Sequence, residues 1–196
     1  MVGLILPALI GAGLALLWRR PSAASPRIAL CWQPVAIAAL AFQVLLFEPP
    51  LDEQSWALQW GPWLYVASML VVCAVLVRSA LSTANARAAW LLAAAGIGLN
   101  VLVVTANGGY MPQSPAARQT ITDAPIPTGM LTNIVPLTGE SRLPWLADII
   151  PQPRWTPMAN VISIGDVLLA LGVGWAAFFW ARSARRASPT RRTPSH

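Results

Sequence analysis

Long apolar runs alternate with short polar or basic segments along the whole chain. Five stand out, at about 2–18, 28–47, 58–77, 88–105 and 160–181. At 1.5 Å of rise per residue, runs of this length reach roughly 25–33 Å, which matches a bilayer hydrocarbon core of about 30 Å. The pattern predicts five transmembrane helices, the first and fourth short enough to stand nearly upright. Pro7, Pro34 and Pro62 fall within or at the edges of these runs. Membrane helices accommodate them, because neighbouring helices or water satisfy the freed carbonyls.

Composition agrees with the pattern. Of 196 residues, 56% are hydrophobic and only 10% are charged, against about 25% charged in soluble domains. Mean hydropathy is +0.58. Two cysteines and a single histidine, His196, exclude a zinc cluster, a disulfide framework and histidine-centred catalysis. No metal and no cofactor are expected. The net charge of +6 comes entirely from arginine, a codon bias that fits a GC-rich bacterial genome.

Where the arginines sit decides the orientation. Arg19, Arg20 and Arg27 fill the first loop, Arg78 and Arg87 bracket the third, and Arg182, Arg185, Arg186, Arg191 and Arg192 crowd the tail. The opposite side carries Glu48, Asp52, Glu53, Asp123, Glu140 and Asp148, with Arg118, Arg142 and Arg154. The positive-inside rule places the N-terminus outside and the C-terminus in the cytoplasm of a bacterial inner membrane. Because Arg19 and Arg20 follow the first apolar run, it reads as an uncleaved N-out helix; a secretory signal has its charge before. Trp18, Trp32, Trp90 and Trp180 fall near the inner edge, and Trp56, Trp60, Trp63, Trp145 and Trp155 near the outer one, as aromatic belts. The basic tail, 182–196, is expected to be disordered and to bind anionic inner-leaflet lipid through its five arginines, at about 1 kcal/mol each. Nucleic acid is not expected, since no aromatic or folded module accompanies the charge.

Residues 106–159 form the long outer loop and hold half of the 18 prolines. Such spacing disfavours long helices and central strands. Leu131, Ile134, Val135, Leu143, Trp145, Leu146, Ile149 and Ile150 are nevertheless too apolar for a disordered linker. An ordered cap with short interfacial turns satisfies both facts, the best turn being Leu143–Ile150. The fold class is therefore an all-α membrane bundle of five helices under a Pro-rich, partly ordered cap.

Candidate chemistry is sparse. Asp166 lies six residues into the last run, where a carboxylate costs a few kcal/mol and must face protein or water. A cap arginine, Arg142 or Arg154, is one partner for it. At 100° per residue, Asn160, Ser163, Asp166, Ala170, Gly174 and Ala177 fall within about 120° of one another. In the fourth run Ala89, Ala93, Gly96, Asn100 and Asn107 share a face. The two small-residue faces should meet and bring Asn100 and Asn107 toward Asn160 and Asp166. Polar residues here serve equally as interhelical hydrogen-bond glue, ~0.6 kcal/mol each. Asn107-Gly108-Gly109 is a strong turn signal whose amides offer a small anion nest.

Asn107-Gly-Gly-Tyr-Met-Pro112, followed by Asn160-Val-Ile-Ser-Ile-Gly-Asp166-Val-Leu-Leu, resembles the bacterial membrane family catalogued as domain of unknown function 5317. The resemblance covers most of the chain. It implies about five spans, and no activity, substrate or cofactor.

Three functions then compete. A structural or accessory envelope protein, with a membrane-protein partner or a second copy, needs no chemistry beyond these features. A small transporter or ion pathway would use Asp166, Asn100 and Asn160 as ligands, although no internal repeat is visible. An outer-leaflet enzyme would pair Asp148 with Asp166, one protonated and one ionised, to activate water. Asn160–Gly172 is loosely similar to the last helix of lipoprotein signal peptidases, but its Asp stands six residues after the Asn instead of three. The Asn-x-x-Asp-Arg motif is missing.

Overall fold

The computed structural model describes residues 30–124, 126, 131–156 and 159–186, with side chains as far as Phe179. The first expected span (2–18), Arg19, Arg20, Arg27 and the tail arginines Arg191 and Arg192 lie outside the described residues, as do the side chains of Arg182, Arg185 and Arg186.

Helix α1 (Gln33–Leu46) begins after Trp32, whose backbone is left-handed at φ 55, and carries Pro34 in its first turn. Proline is tolerated there because a first-turn N–H has no intrahelical partner. The helix stops ahead of Pro49 and Pro50, so the expected span 28–47 is a helix of 14 residues. Helix α2 (Ser55–Ser82) has 28 residues and takes Pro62 into its interior. A 3₁₀ turn, Ala84–Ala86, reverses the chain into α3 (Arg87–Ala106). After the cap, α5 (Ile164–Arg186) returns along α3; α4 (Pro115–Gln119) is a single turn within the cap. The helices form a row in which α2 separates α1 from α3, and α3 lies between α2 and α5.

Two of these helices, Ser55–Ser82 and Ala84–Ala106 counted with its 3₁₀ turn, are long and apolar enough to cross a membrane. Gln33–Leu46 and Ile164–Phe179 are shorter apolar helices. The last run also differs from its expected start. Val161 and Ile162 are extended, and the helix begins at Ile164 and continues to Arg186, beyond the expected end at 181.

The core has two parts. Away from the cap, Val72, Leu76, Ala80, Ala89, Ala93, Leu169 and Ala176 pack around Trp90, which is buried within the bundle and does not stand in an exposed aromatic belt. At the cap end, Leu46, Tyr65, Met69, Val103, Val104, Met111, Leu131 and Leu146 form the second cluster.

The cap is not purely helical. Strand β1 (Met111–Gln113) pairs in parallel with β2 (Ile134–Pro136), with Met111 opposite Ile134. Strand β3 (Ile150–Pro151) pairs antiparallel with β4 (Val161–Ile162). Within 143–150 the helical part is the 3₁₀ turn Pro144–Leu146, after which the chain extends. Prolines lack the N–H that longer ladders need, which keeps each strand to two or three residues. The same constraint makes these strands invisible to periodicity.

Candidate functional site

Close backbone approach between α3 and α5 builds the site. A Cβ at Gly165 would stand 2.0 Å from Asn100 Oδ1 and 2.6 Å from the Gly96 carbonyl oxygen; one at Gly172 would meet Ala93 N at 2.4 Å. Ala89, Ala93, Gly96 and Asn100 are all buried, and facing them on α5 are Gly165, Asp166, Leu169, Gly172 and Ala176. The face expected on α5 is corrected in part. Ala170, Gly174 and Ala177 are exposed, because the helix starts at Ile164 and its contact stripe runs through residues 165, 169, 172 and 176.

At the cap end of this crossing, three buried side chains close a ring. Asn100 Nδ2 donates to Asp166 Oδ1 at 2.7 Å. Ser163 Oγ donates to Asn100 Oδ1 at 2.9 Å. The Asp166 N–H donates back to Ser163 Oγ at 3.0 Å, and the Ser163 N–H donates to Asp166 Oδ2 at 3.1 Å. The last two bonds form a capping box, with Asp in the place usually held by Glu. Neither Arg142 nor Arg154 serves as the partner of Asp166. The Arg142 N–H donates to Asn107 Oδ1, and the Arg154 guanidinium donates to the carbonyls of Gln119 and Thr120.

The turn after α3 fastens the cap. Gly108 and Gly109 have φ of 71 and 95, left-handed values that glycine takes freely. Gly109 also lies so close to Pro62 that a Cβ would stand 2.4 Å from the proline ring. Asn107 Nδ2 donates to the carbonyls of Val103 and Arg142 at 2.8 and 2.9 Å. The Gly108 and Gly109 amides donate to Thr105 and Val104 carbonyls. The anion nest expected from Asn107, Gly108 and Gly109 is therefore not open, since its donors are already used to end the helix.

Asp148 arrives by a different route. Its N–H donates to the Pro112 carbonyl at 2.9 Å and its carbonyl accepts from Ser114 N at 2.8 Å, so it flanks β1 opposite β2. Two residues on, Ile150 pairs with Ile162, beside Ser163. This path brings Asp148 and Asp166 into electrostatic contact. Asp148 is fully buried, and neither carboxyl oxygen has a hydrogen-bond partner. Burial holds it well above the usual carboxylate range and the Asp166 charge adds to the shift, while the neighbouring Gln113 amide works the other way. Gln113 is itself fully buried, its Oε1 accepting from Arg118 Nη1 at 3.0 Å and its Nε2 unpartnered. The Tyr65 phenol neighbours Asn133 and lies within electrostatic reach of both aspartates.

Asn100, Ser163, Asp166 and Asp148 thus come together, whereas Asn107 stands in the Arg142 clamp. Asn160 pairs through its backbone with Gln152. The sequence pattern does not single out Gln113, Tyr65 or Asn133. A lone Gln in an apolar Met-Pro-Gln stretch and a Tyr within an apolar run were the available signals. Among the described residues no group of three or more His, Cys, Asp or Glu could hold a metal ion.

Chemically, the site offers two carboxyls with unlike surroundings, one supplied with donors and one without. Such a division is how paired carboxyls acquire separate acid and base roles. A model of a family of unknown function, DUF5317, matches residues 27–178. No curated protein and no solved structure matches the chain.

Proposed function

The chain belongs to DUF5317, a family of unknown function, and on that footing we propose that it is a five-span integral protein of the bacterial cytoplasmic membrane with a structural or accessory role in the envelope. Its N-terminus lies outside, its C-terminus and basic tail lie against anionic inner-leaflet lipid, and the cap stands on the outer face. The arginine distribution supports this orientation. Insertion in lipid is supported by the exposure of Leu70, Leu81, Leu102, Leu171 and Phe178 along the helices, an apolar surface suited to lipid. Trp56, Trp60 and Trp63 open α2 at the cap end, and with Trp145 and Trp155 they are exposed, as an outer aromatic belt requires.

One observation carries the structural reading. Asn100, Ser163, Asp166 and Asn107 direct their side-chain hydrogen bonds to one another or to cap and helix backbone. Their hydrogen bonds tie α3, α5 and the cap into one platform. A membrane-protein partner or a second copy would use the outer face of that platform.

A second reading rests on Asp148. A buried carboxyl with unpartnered oxygens is costly, and beside Asp166 it fits an outer-leaflet enzyme in which a neutral Asp148 serves as acid and Asp166 as base. Envelope lipids and released peptides of a deletion strain, complemented with the wild type, Asp148→Asn or Asp166→Asn, separate the two. The structural role predicts unchanged profiles, with a loss of abundance in Asp166→Asn. A species that accumulates in the deletion strain and in a normally abundant Asp148→Asn strain, yet clears with the wild type, replaces it with the enzyme.

A further inference from the structure

The backbone of Asp148 is what joins the 143–151 segment to β1. Its N–H and C=O make the bonds to Pro112 and Ser114, and Leu146 inserts beneath it into the cap-end core. The side chain of the same residue is fully buried with no donor on either oxygen. A neutral carboxylic acid can occupy such a place, whereas an ionised one loses its water and has only the neighbouring Gln113 amide in its favour.

Among the described residues, the charged and titratable groups that face it give its ionised form no direct cationic partner. From α5, Asp166 presents a carboxyl held by Asn100 and Ser163. From α2 comes the Tyr65 phenol. From α4, Arg118 reaches toward it only through Gln113, whose Oε1 takes the guanidinium bond. No cation touches Asp148 directly among the described residues.

We propose that the cap is latched by a proton on Asp148, and that loss of this proton releases the 143–151 segment from β1. The proton is the ligand, the neighbouring Asp166 carboxyl adds like-charge repulsion to the cost of its loss, and the cap is the element that responds. This goes beyond the envelope role and holds whether or not the pair performs chemistry.

The direction in pH follows from the environment. Asp148 holds its proton more tightly when docked than when released, where it returns to the ordinary value of 3.8. Latching is therefore complete below that value and weakens as pH rises above it. The released fraction gains up to tenfold per pH unit, one proton being lost on release, until the docked carboxyl itself ionises.

Amide hydrogen exchange of the full chain in lipid nanodiscs, from pH 5 to 9 and corrected for intrinsic rates, reads this directly. Protection of the Leu146, Ala147 and Asp148 amides should fall several-fold or more with rising pH, while the α3 amides around Asn100 stay protected. Asp148→Asn, or Asp148→Leu should the amide variant fail to fold, should make the segment's protection independent of pH. A flat wild-type profile overturns the latch by itself. So does an equal slope in the neutral variant, or a loss of protection shared by α3, which would mean unfolding of the whole bundle.

Discussion

Asn100 Nδ2 lies 2.7 Å from Asp166 Oδ1, joining two helices through residues 66 positions apart. The bond belongs to a ring in which Asn100 holds both Asp166 and Ser163, so one amide ties α3 to the capping box of α5. Removing it leaves Asp166 Oδ1 and the Ser163 hydroxyl proton buried without partners, although Ser163 Oγ still accepts from the Asp166 N–H.

Replacing Asn100 with Leu should therefore cost more than an ordinary hydrogen bond, about 2–3 kcal/mol. Asp166→Asn keeps an acceptor for Asn100 and should cost nearer 1 kcal/mol. Thermal unfolding of both variants in one detergent checks the order, which reverses if Asp166 is held mainly by some other group.

Gly165→Ala and Gly172→Ala place a methyl group into α3 backbone or the Asn100 amide. Each should destabilise by about 1–3 kcal/mol, the usual cost of overpacking. Gly98 and Gly174 meet nothing within 4 Å. Alanine at either should be neutral or slightly stabilising, through helix propensity, and unfolding temperatures would show the two pairs separating.

Asn107→Ala removes both bonds to the Arg142 backbone without touching α5. The 138–143 stretch should open about five- to thirty-fold more often, for a loss of about 1–2 kcal/mol. Trypsin cleavage after Arg142 should accelerate by that factor while the helices remain intact. An unchanged rate would show that Leu143 and Leu146, packed in the cap-end core, hold the segment without Asn107.

Much of the helical layout was legible because it depends on local pattern. Ala89, Ala93, Gly96 and Asn100 repeat at helical spacing, and they do form the buried face of α3. On α5 the same reasoning chose Ala170, Gly174 and Ala177, which are exposed. A small residue marks a close approach only when a neighbour lies opposite it, and which stripe faces α3 depends on where the helix begins. Asn160-Val-Ile-Ser looked continuous with the apolar run, yet the pairing of Val161 and Ile162 with Ile150 and Pro151 delays the helix until Ile164. That pairing is non-local and two residues long, beneath any periodic signal. Gln113 escaped notice for a related reason: a single polar residue in a Pro-rich loop reads as solvated until Asp148 and Ile134–Pro136 close over it.

The measurement that tests the account most directly is sidedness. In a background with Cys31 and Cys73 replaced, single cysteines at Gly139, exposed in the cap, and at Asn85, exposed in the turn between α2 and α3, are treated with a membrane-impermeant maleimide on spheroplasts. The account predicts labelling at position 139 in intact spheroplasts and at position 85 only after permeabilisation. The opposite order would invert the protein, and equal labelling of both without permeabilisation would contradict a membrane-spanning bundle.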